Sequence, residues 1–314
     1  MATVDNHLQA VHDLLLSVTE SSIPLLSETS RHILSAGGKR LRPRLVLLAH
    51  AATGGQDVEY VIPLAAAVEI IHTATLVHDD INDHGTLRRG RETVNSRWGG
   101  TFALLTGDYM FTKTYEIMAP YPGPLNTILA KASIALVEGE TLQIQASKNG
   151  ALDRDTYLEI IAKKTAALFV ACVELGASAA NAPQEWIDAL KQYAYHMGLA
   201  FKITDDLLDL VADPQQIGKN AGIDLAQGRG IAAVREGNHD SDHGLTAVIS
   251  PDTAPGPFKE SLLDGHSLDT AVETGRRKAH EFADRALASL DALPPSPALD
   301  DLRALARQVI ERKH

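Results

Sequence analysis

Ile71–Arg89 reads IHTATLVHDDINDHGTLRR, and how this stretch is interpreted decides the fold. An apolar run ends in the carboxylates Asp79, Asp80 and Asp83, and Arg88 and Arg89 follow at once. If the run is helical, Asp79 and Asp83 stand about 40° apart on one face, and His72 lies about 20° off the same stripe. Like charges so placed repel by roughly 0.2–0.5 kcal/mol even in water, so the face needs a cation. Oxygen ligands without a surplus of Cys or His favour Mg2+, which binds through one or two carboxylates together with substrate phosphates. Taken alone, the stretch reads better as a solvated acidic helix end.

It is not alone. FKITDDLLDL, Phe201–Leu210, repeats the spacing in Asp205, Asp206 and Asp209, here among Phe201, Ile203, Leu207, Leu208 and Leu210. Carboxylates inside an apolar helix cost desolvation energy unless a cation compensates. Two such motifs facing each other across a helix bundle would cage several divalent ions. The expected metal ligands are therefore Asp79, Asp80, Asp83, Asp205, Asp206 and Asp209. Lys202, three residues before Asp205 and seven before Asp209, shares their stripe and is expected to neutralise them or reach a phosphate oxygen.

The 314 residues are 45% hydrophobic with a net charge of −11, which suits one large helical domain spanning 1–314. The acidic balance argues against nucleic acid as a partner. The N-terminus lacks the basic and apolar regions of a signal peptide, and no run reaches the ~18 uninterrupted apolar residues of a membrane span. The single cysteine, Cys172, sits in an apolar run and reads as a buried thiol in a reducing cytoplasm.

Helical periodicity dominates: Asn6–Leu34 with a break at Pro24, then Val61–Val77, Ala103–Met118, Leu125–Ala146, Asp155–Ala179, Pro183–Ala212, Ser267–Ala292 and Ala298–Arg312. Strand alternation is nearly absent, so the expected fold is an all-α bundle with a central cavity. Gly37–Pro43, GGKRLRP, opens a cluster of Lys39, Arg40, Arg42 and Arg44. The Gly pair would let the backbone approach a ligand, and the cations suit phosphate, although helix punctuation with a basic surface reads equally well. Glu140 and Gln143 either line a site or face water. Lys163 is expected to snorkel to solvent. The stretch 236–259, dense in Gly, Pro, Asp and His, reads as a long mobile loop. His239 and His243 in it are expected to be solvated rather than metal-bound.

With GGKRLRP, DDINDHGTLRRG, the Lys164–Thr165 pair and FKITDDLLD in this order, the chain resembles the trans-isoprenyl diphosphate synthases, the polyprenyl synthetase family. The resemblance is close over about residues 30–235. It implies a homodimeric all-α fold and head-to-tail transfer, in which isopentenyl diphosphate extends an allylic diphosphate. It further implies that Asp79 and Asp83 hold the Mg2+ ions of the allylic diphosphate and that Asp205 holds a remaining one. Lys39, Arg42, His72 and Arg89 match the isopentenyl diphosphate positions. Arg88, Lys164 and Thr165 match the allylic ones, and Lys219 matches a further diphosphate contact. The chain departs from the pattern at Lys202, where the family usually has Gln, and at Ile231 and Ala233, where it has Thr and Pro. The loop 236–259 stands where a helix is usual. A class I terpene cyclase would share the aspartates but have no use for GGKRLRP and the arginine pair. A non-catalytic partner subunit would be expected to have lost one aspartate motif.

The growing product is expected to run along the turns that precede Asp79, since one helical turn rises about 5.4 Å, close to one isoprene unit. Val68, Ile71 and Thr75 lie on that wall by spacing, and the resemblance adds Ala74. None is aromatic. A product longer than farnesyl is expected, with geranylgeranyl as the alternative, unless Tyr109, Phe111 or Met118 closes the tunnel.

Overall fold

The computed structural model describes residues 2–150, 152–211 and 268–312. Its elements follow one another as α1 (Ala2–Val18), α2 (Pro24–Leu34), α3 (Leu41–Ala52), α4 (Val58–Asn82), a hairpin of β1 (Leu87–Arg88) and β2 (Arg91–Glu92), α5 (Val94–Trp98), α6 (Gly100–Met118), α7 (Gly123–Asn149) and α8 (Arg154–Ile161). A π-helical turn, Ala162–Ala166, then leads into α9 (Ala167–Ala179) and α10 (Gln184–Val211). After the undescribed stretch come α11 (Leu268–Ser289), a short 3-10 turn and α12 (Pro297–Ile310). The all-α expectation holds, the hairpin being the sheet among the described residues. The helices divide into two compact units.

The first unit comprises Met1–Ser133, Ala171–Leu190 and Ala292–Leu302. Its axis is α4, which packs against α1, α3 and α6. Asp57 starts α4 by accepting the Tyr60 N–H at 3.0 Å, a capping contact worth about 1 kcal/mol. Leu64 through Val68 are fully buried, so the Ala65–Ala67 run lets neighbouring helices approach closely. Because α4 is apolar all round, it is long and apolar enough to cross a membrane, which the interruptions in its sequence did not suggest. Burial of 67% of its most apolar window marks a core helix instead. It also runs past the expected Val77, carrying Asp79 and Asp80 in its last turn, with Asp83 as the capping residue. Arg89 and Gly90, both with positive φ (52° and 74°), form the two-residue turn that folds the hairpin back.

The second unit comprises Ile134–Val170, the described part of Lys191–Asp291, and Arg303 onward. Within it the Phe169 and Phe201 rings meet at 5.4 Å, and His196 stacks on Phe282 at 6.0 Å.

Candidate active site

In the first unit, the last turn of α4 brings its acids to the helix's negative pole, with no basic residue in that turn to offset them. The Asp83 N–H donates to the Asp79 carbonyl at 2.8 Å, which keeps both residues on one side. Asp79 and Asp83 are half-buried. Asp80 is only 2% exposed and turns inward, where Arg88 grips it. The Arg88 Nε lies 2.9 Å from both carboxylate oxygens and its Nη2 2.7 Å from Oδ1. The hairpin thus delivers one arginine of the pair to Asp80. Asp80, also among the expected metal ligands, is buried against this guanidinium.

The basic cluster is sorted in the same way. Arg40 donates to the buried Glu69 at 2.5 Å and to the Leu34 carbonyl at 2.5 Å, and Arg44 pairs with Asp5 at 2.7 Å. Those two cations serve the fold, while Lys39 stands exposed and Arg42 half-buried at the start of α3. The Gly pair has a specific task. A Cβ on Gly38, whose φ is +132°, would fall 2.7 Å from Arg89 Nη1, and the same guanidinium donates to the Gly37 carbonyl. It accommodates Arg89, where the expectation was close approach to a ligand. His72 is set among these cations. Burial pushes its pKa well below the ordinary value, and the charges of Arg42, Arg89, Arg88 and Arg40 push it further down. The ring is therefore neutral at neutral pH, with one N–H to offer a phosphate oxygen.

In the second unit, the other aspartate motif lies on α10. Asp205 is exposed, Asp209 half-buried and Asp206 buried. Asp206 Oδ2 accepts the Tyr157 hydroxyl at 2.7 Å, and Lys202 Nζ donates to Oδ1 at 2.5 Å. Lys202, placed by spacing on the stripe of Asp205 and Asp209, pairs one turn along with Asp206. The Arg312 guanidinium caps the Phe201 ring at 4.5 Å and feels the attraction of Asp205.

The Lys164–Thr165 pair sits in the π turn. Such a turn carries an extra residue, re-aims the side chains and is frequent at functional sites. Two helices press on it. A Cβ on Gly139 of α7 would fall 2.6 Å from the Lys164 backbone nitrogen, and one on Gly198 of α10 2.7 Å from Ala166 Cα. Glu138 and Glu140 flank the first of these glycines. Glu138 pairs with Lys163 at 2.8 Å, and Glu140 with Lys164. Lys163, expected to snorkel to solvent, is part-exposed and pairs there with Glu138 and Glu159. Glu140 is turned to Lys164, and Gln143 is half-buried. Thr165 is buried.

On the proposed product wall, Val68, Ile71 and Ala74 are buried, while Thr75 is half-buried with its hydroxyl on the His72 carbonyl at 2.8 Å. Tyr109 is committed elsewhere, donating to the Glu20 carbonyl at 2.8 Å, and the Phe111 ring lies 6.0 Å from His78. Lys219, Ile231, Ala233, His239, His243 and the stretch 236–259 lie outside the described residues.

Among the described residues, no three His, Cys, Asp or Glu side chains converge as a ready-made metal cage. Mg2+ needs no such cage, because it keeps several waters and completes its shell with substrate phosphates. The outward pairs Asp79/Asp83 and Asp205/Asp209 provide the hard oxygen donors it prefers. Sequence reasoning missed Tyr157, Glu69, Gly139 and Gly198. The available signal was a Gly within each of two helical runs, which often marks close backbone approach.

The polyprenyl synthetase family model matches residues 23–252. The chain is 37% identical to heptaprenyl diphosphate synthase component 2 of Geobacillus stearothermophilus, over 99% of this chain and 97% of that one. It is 34% identical to the all-trans-nonaprenyl-diphosphate synthase (geranyl-diphosphate specific) of Rhodobacter capsulatus, again over 99% and 97%. The crystal structure of a polyprenyl synthase from Caulobacter crescentus, complexed with calcium and isoprenyl diphosphate, superposes with a TM-score of 0.86 at 30% identity, covering 100% of this chain and 97% of that one. A match of that extent, over a chain carrying both aspartate motifs, places this protein in the polyprenyl synthetase family, as a prenyltransferase of the polyprenyl diphosphate synthase type.

Proposed function

We propose that the chain is a Mg2+-dependent trans-polyprenyl diphosphate synthase, adding isopentenyl units to an allylic diphosphate until the product is longer than farnesyl. The observation that carries this reading is the recurrence of one arrangement. In each aspartate motif the second carboxylate is buried on a cation of the chain, and the first and third are left more exposed. Both motifs serve one reaction. Lys39, Arg42, Arg89 and neutral His72 bind the diphosphate of the isopentenyl substrate. Arg88, Lys164, Thr165 and Lys202 stand on the allylic side, and Lys219 adds a further contact. Asp79, Asp83 and Asp205 would hold Mg2+, which would supply positive charge to the departing diphosphate. Fixed cations of the chain add to that electrostatic stabilisation, in general the largest catalytic contribution. The apolar wall of α4 keeps water from the allylic cation until the isopentenyl double bond attacks it. The released diphosphate takes the proton that leaves.

The small side chains Val68, Ala74 and Thr75 support a long product, and the heptaprenyl and nonaprenyl relatives support the same length. Geranylgeranyl is the alternative. Exposed Phe102, Leu104, Leu105 and Tyr115 on α6, with Ile134 and Val137 on α7, support a homodimer. The protein works in the cytoplasm, its one thiol buried. A second reading takes its cue from the Geobacillus relative, whose name makes it one component of a synthase. On that reading the isolated chain would be inactive. Incubating the purified chain with Mg2+, labelled isopentenyl diphosphate and primers of increasing length tests both. A ladder ending beyond farnesyl is expected. No product from any primer would favour the two-component reading, and full turnover in EDTA would end the metal-dependent one.

A further inference from the structure

Lys202 is four residues before Asp206 on α10, its ammonium 2.5 Å from Oδ1, while the Tyr157 hydroxyl holds Oδ2 at 2.7 Å. The Asp206 side chain is 2% exposed, so as an anion it requires a compensating charge. Helix propensity does not explain the pair, because a basic residue one turn before an acidic one is the weaker order on a helix surface. Burial and the second, independent hydrogen bond from α8 make it a built arrangement. The neighbouring Asp205 is exposed and Asp209 half-buried, so the charge of Lys202 lies beside the two carboxylates that face outward.

We propose that Lys202 is a resident counter-charge of the second aspartate motif, which fixes Asp206 as a structural anion and lowers the motif's affinity for a divalent cation until a diphosphate is present. This rests on the second motif's being a metal site, as proposed above. Coulombic repulsion between the lysine and an arriving divalent ion acts over a few ångströms, near a surface where the effective dielectric is high. It is worth roughly tenfold in affinity. A diphosphate brings its own negative charge and reverses the balance, so metal and diphosphate bind together rather than in sequence. A glutamine at this position would leave the motif one charge more negative and able to take metal first.

Mn2+ binding to the substrate-free protein, followed by the loss of its free-ion magnetic resonance signal, tests this without turnover. Lys202→Gln should tighten Mn2+ binding by three- to tenfold, and Asp206→Asn should weaken it by a similar factor. The double variant, which restores the charge, should return to within about twofold of the wild type. Lys202→Arg, with the charge kept and the shape changed, should bind Mn2+ as the wild type does. Adding inorganic pyrophosphate should erase most of the difference between Lys202→Gln and the wild type. Melting curves of each variant report folding, and should Lys202→Gln prove unfolded, the Arg and double variants still decide the matter. Unchanged or weaker binding in Lys202→Gln, a double variant no nearer the wild type than either single, or an Arg variant resembling Gln would overturn the proposal. Asp205→Ala separates the two levels: if it leaves Mn2+ binding untouched, the metal-site reading itself fails. If it abolishes a binding step that Lys202→Gln does not alter, only the role of Lys202 fails.

Discussion

Asp80 and Asp206 occupy the same place in two motifs of identical spacing, and both are buried, yet they are neutralised by different means. Asp80 is met by the fork of Arg88, which reaches it from a hairpin eight residues later. Asp206 is shared between a lysine one turn earlier on its own helix and a tyrosine from α8. An arginine fork holds both oxygens in one plane and fixes the chain segment that carries it. A lysine is a point charge on a flexible stem and fixes little beyond the charge balance. The first motif is therefore tied to the architecture around it, whereas the second is tuned by a residue that can be exchanged. The spacing of the aspartates sets which ones share a face; their depth separates the two held by ion pairs of the chain from the ones proposed to bind metal.

The sharpest way to break this comparison is to remove an outward aspartate from each motif. Asp79→Ala and Asp205→Ala should each lower kcat/KM by roughly two to three orders of magnitude, the scale of losing a direct electrostatic contribution to the transition state. Helical circular dichroism should not change, and the melting temperature should stay level or rise as like-charge repulsion is relieved. Wild-type turnover in either variant would mean that its motif is not a metal site.

Inward aspartates should behave in the opposite way. Arg88→Ala leaves Asp80 buried without its guanidinium and should cost about 3 kcal/mol or more in stability, read by urea unfolding. Arg88→Lys, with one ammonium in place of a fork, should recover only part of that. An unaltered unfolding midpoint in Arg88→Ala would show that the hairpin does not depend on the pair.

Much of this was legible in the sequence because helical periodicity and the one-four spacing are local properties. The two motifs, the arginine pair and the all-α fold follow from them. What was not legible depends on depth and on partners far along the chain. Nothing in GGKRLRP tells that Arg40 belongs to buried Glu69 and Arg44 to Asp5, or that Gly38 makes room for Arg89. The acids Asp79, Asp80 and Asp83 read as the end of a helix and they are one, but the apolar run alone stops the helix at Val77, whereas α4 continues to Asn82. The π turn was invisible as well, because the backbones that close on it, at Gly139 and Gly198, belong to helices that the sequence keeps apart.

That turn gives a test confined to the second unit. Gly139→Ala would place a methyl 2.6 Å from the Lys164 nitrogen, so the turn must shift and Lys164 with it. A loss of roughly tenfold in kcat is expected, from misplacing a single charged contact by a fraction of an ångström. Glu140→Gln should cost less, about three- to tenfold. It should act mainly on the KM for the allylic substrate, since Lys164 keeps its place but loses this ion pair. Equal effects on both substrates would argue that Glu140 supports the helix rather than the lysine. A milder outcome is expected on the first unit's wall. Thr75→Phe should shorten the product by a unit or more while changing the rate only a few-fold. Val68→Phe, in a fully buried position, should mainly destabilise by about 1–3 kcal/mol through overpacking. Wild type that stops at farnesyl diphosphate with excess isopentenyl diphosphate would place the tunnel floor elsewhere.

The smallest expected effect separates the charge surroundings of the two motifs by pH. His72 lies near the first motif among Arg40, Arg42, Arg88 and Arg89, and its pKa is held well below 6.5, first by burial and then by those cations. In the unfolded chain the same imidazole titrates near 6.5. Between that value and its lower folded one, the unfolded state binds the proton that the folded state refuses. The stability His72 contributes is therefore complete above about pH 6.5 and is lost progressively as pH falls below it. His50 and His196 are lowered too, by burial first, so acid sensitivity should diminish rather than vanish when His72 is replaced. His72→Gln should show a melting temperature that falls less between pH 7.5 and 5.5 than the wild type's, by about 2 °C. Pyrophosphate bound beside the arginines would offset their repulsion and let the imidazole take a proton. The anion should therefore narrow the gap between wild type and His72→Gln at pH 5.5, while leaving it unchanged at pH 7.5. A gap that pyrophosphate does not alter would place His72 outside the diphosphate's reach and leave the arginines alone to bind it.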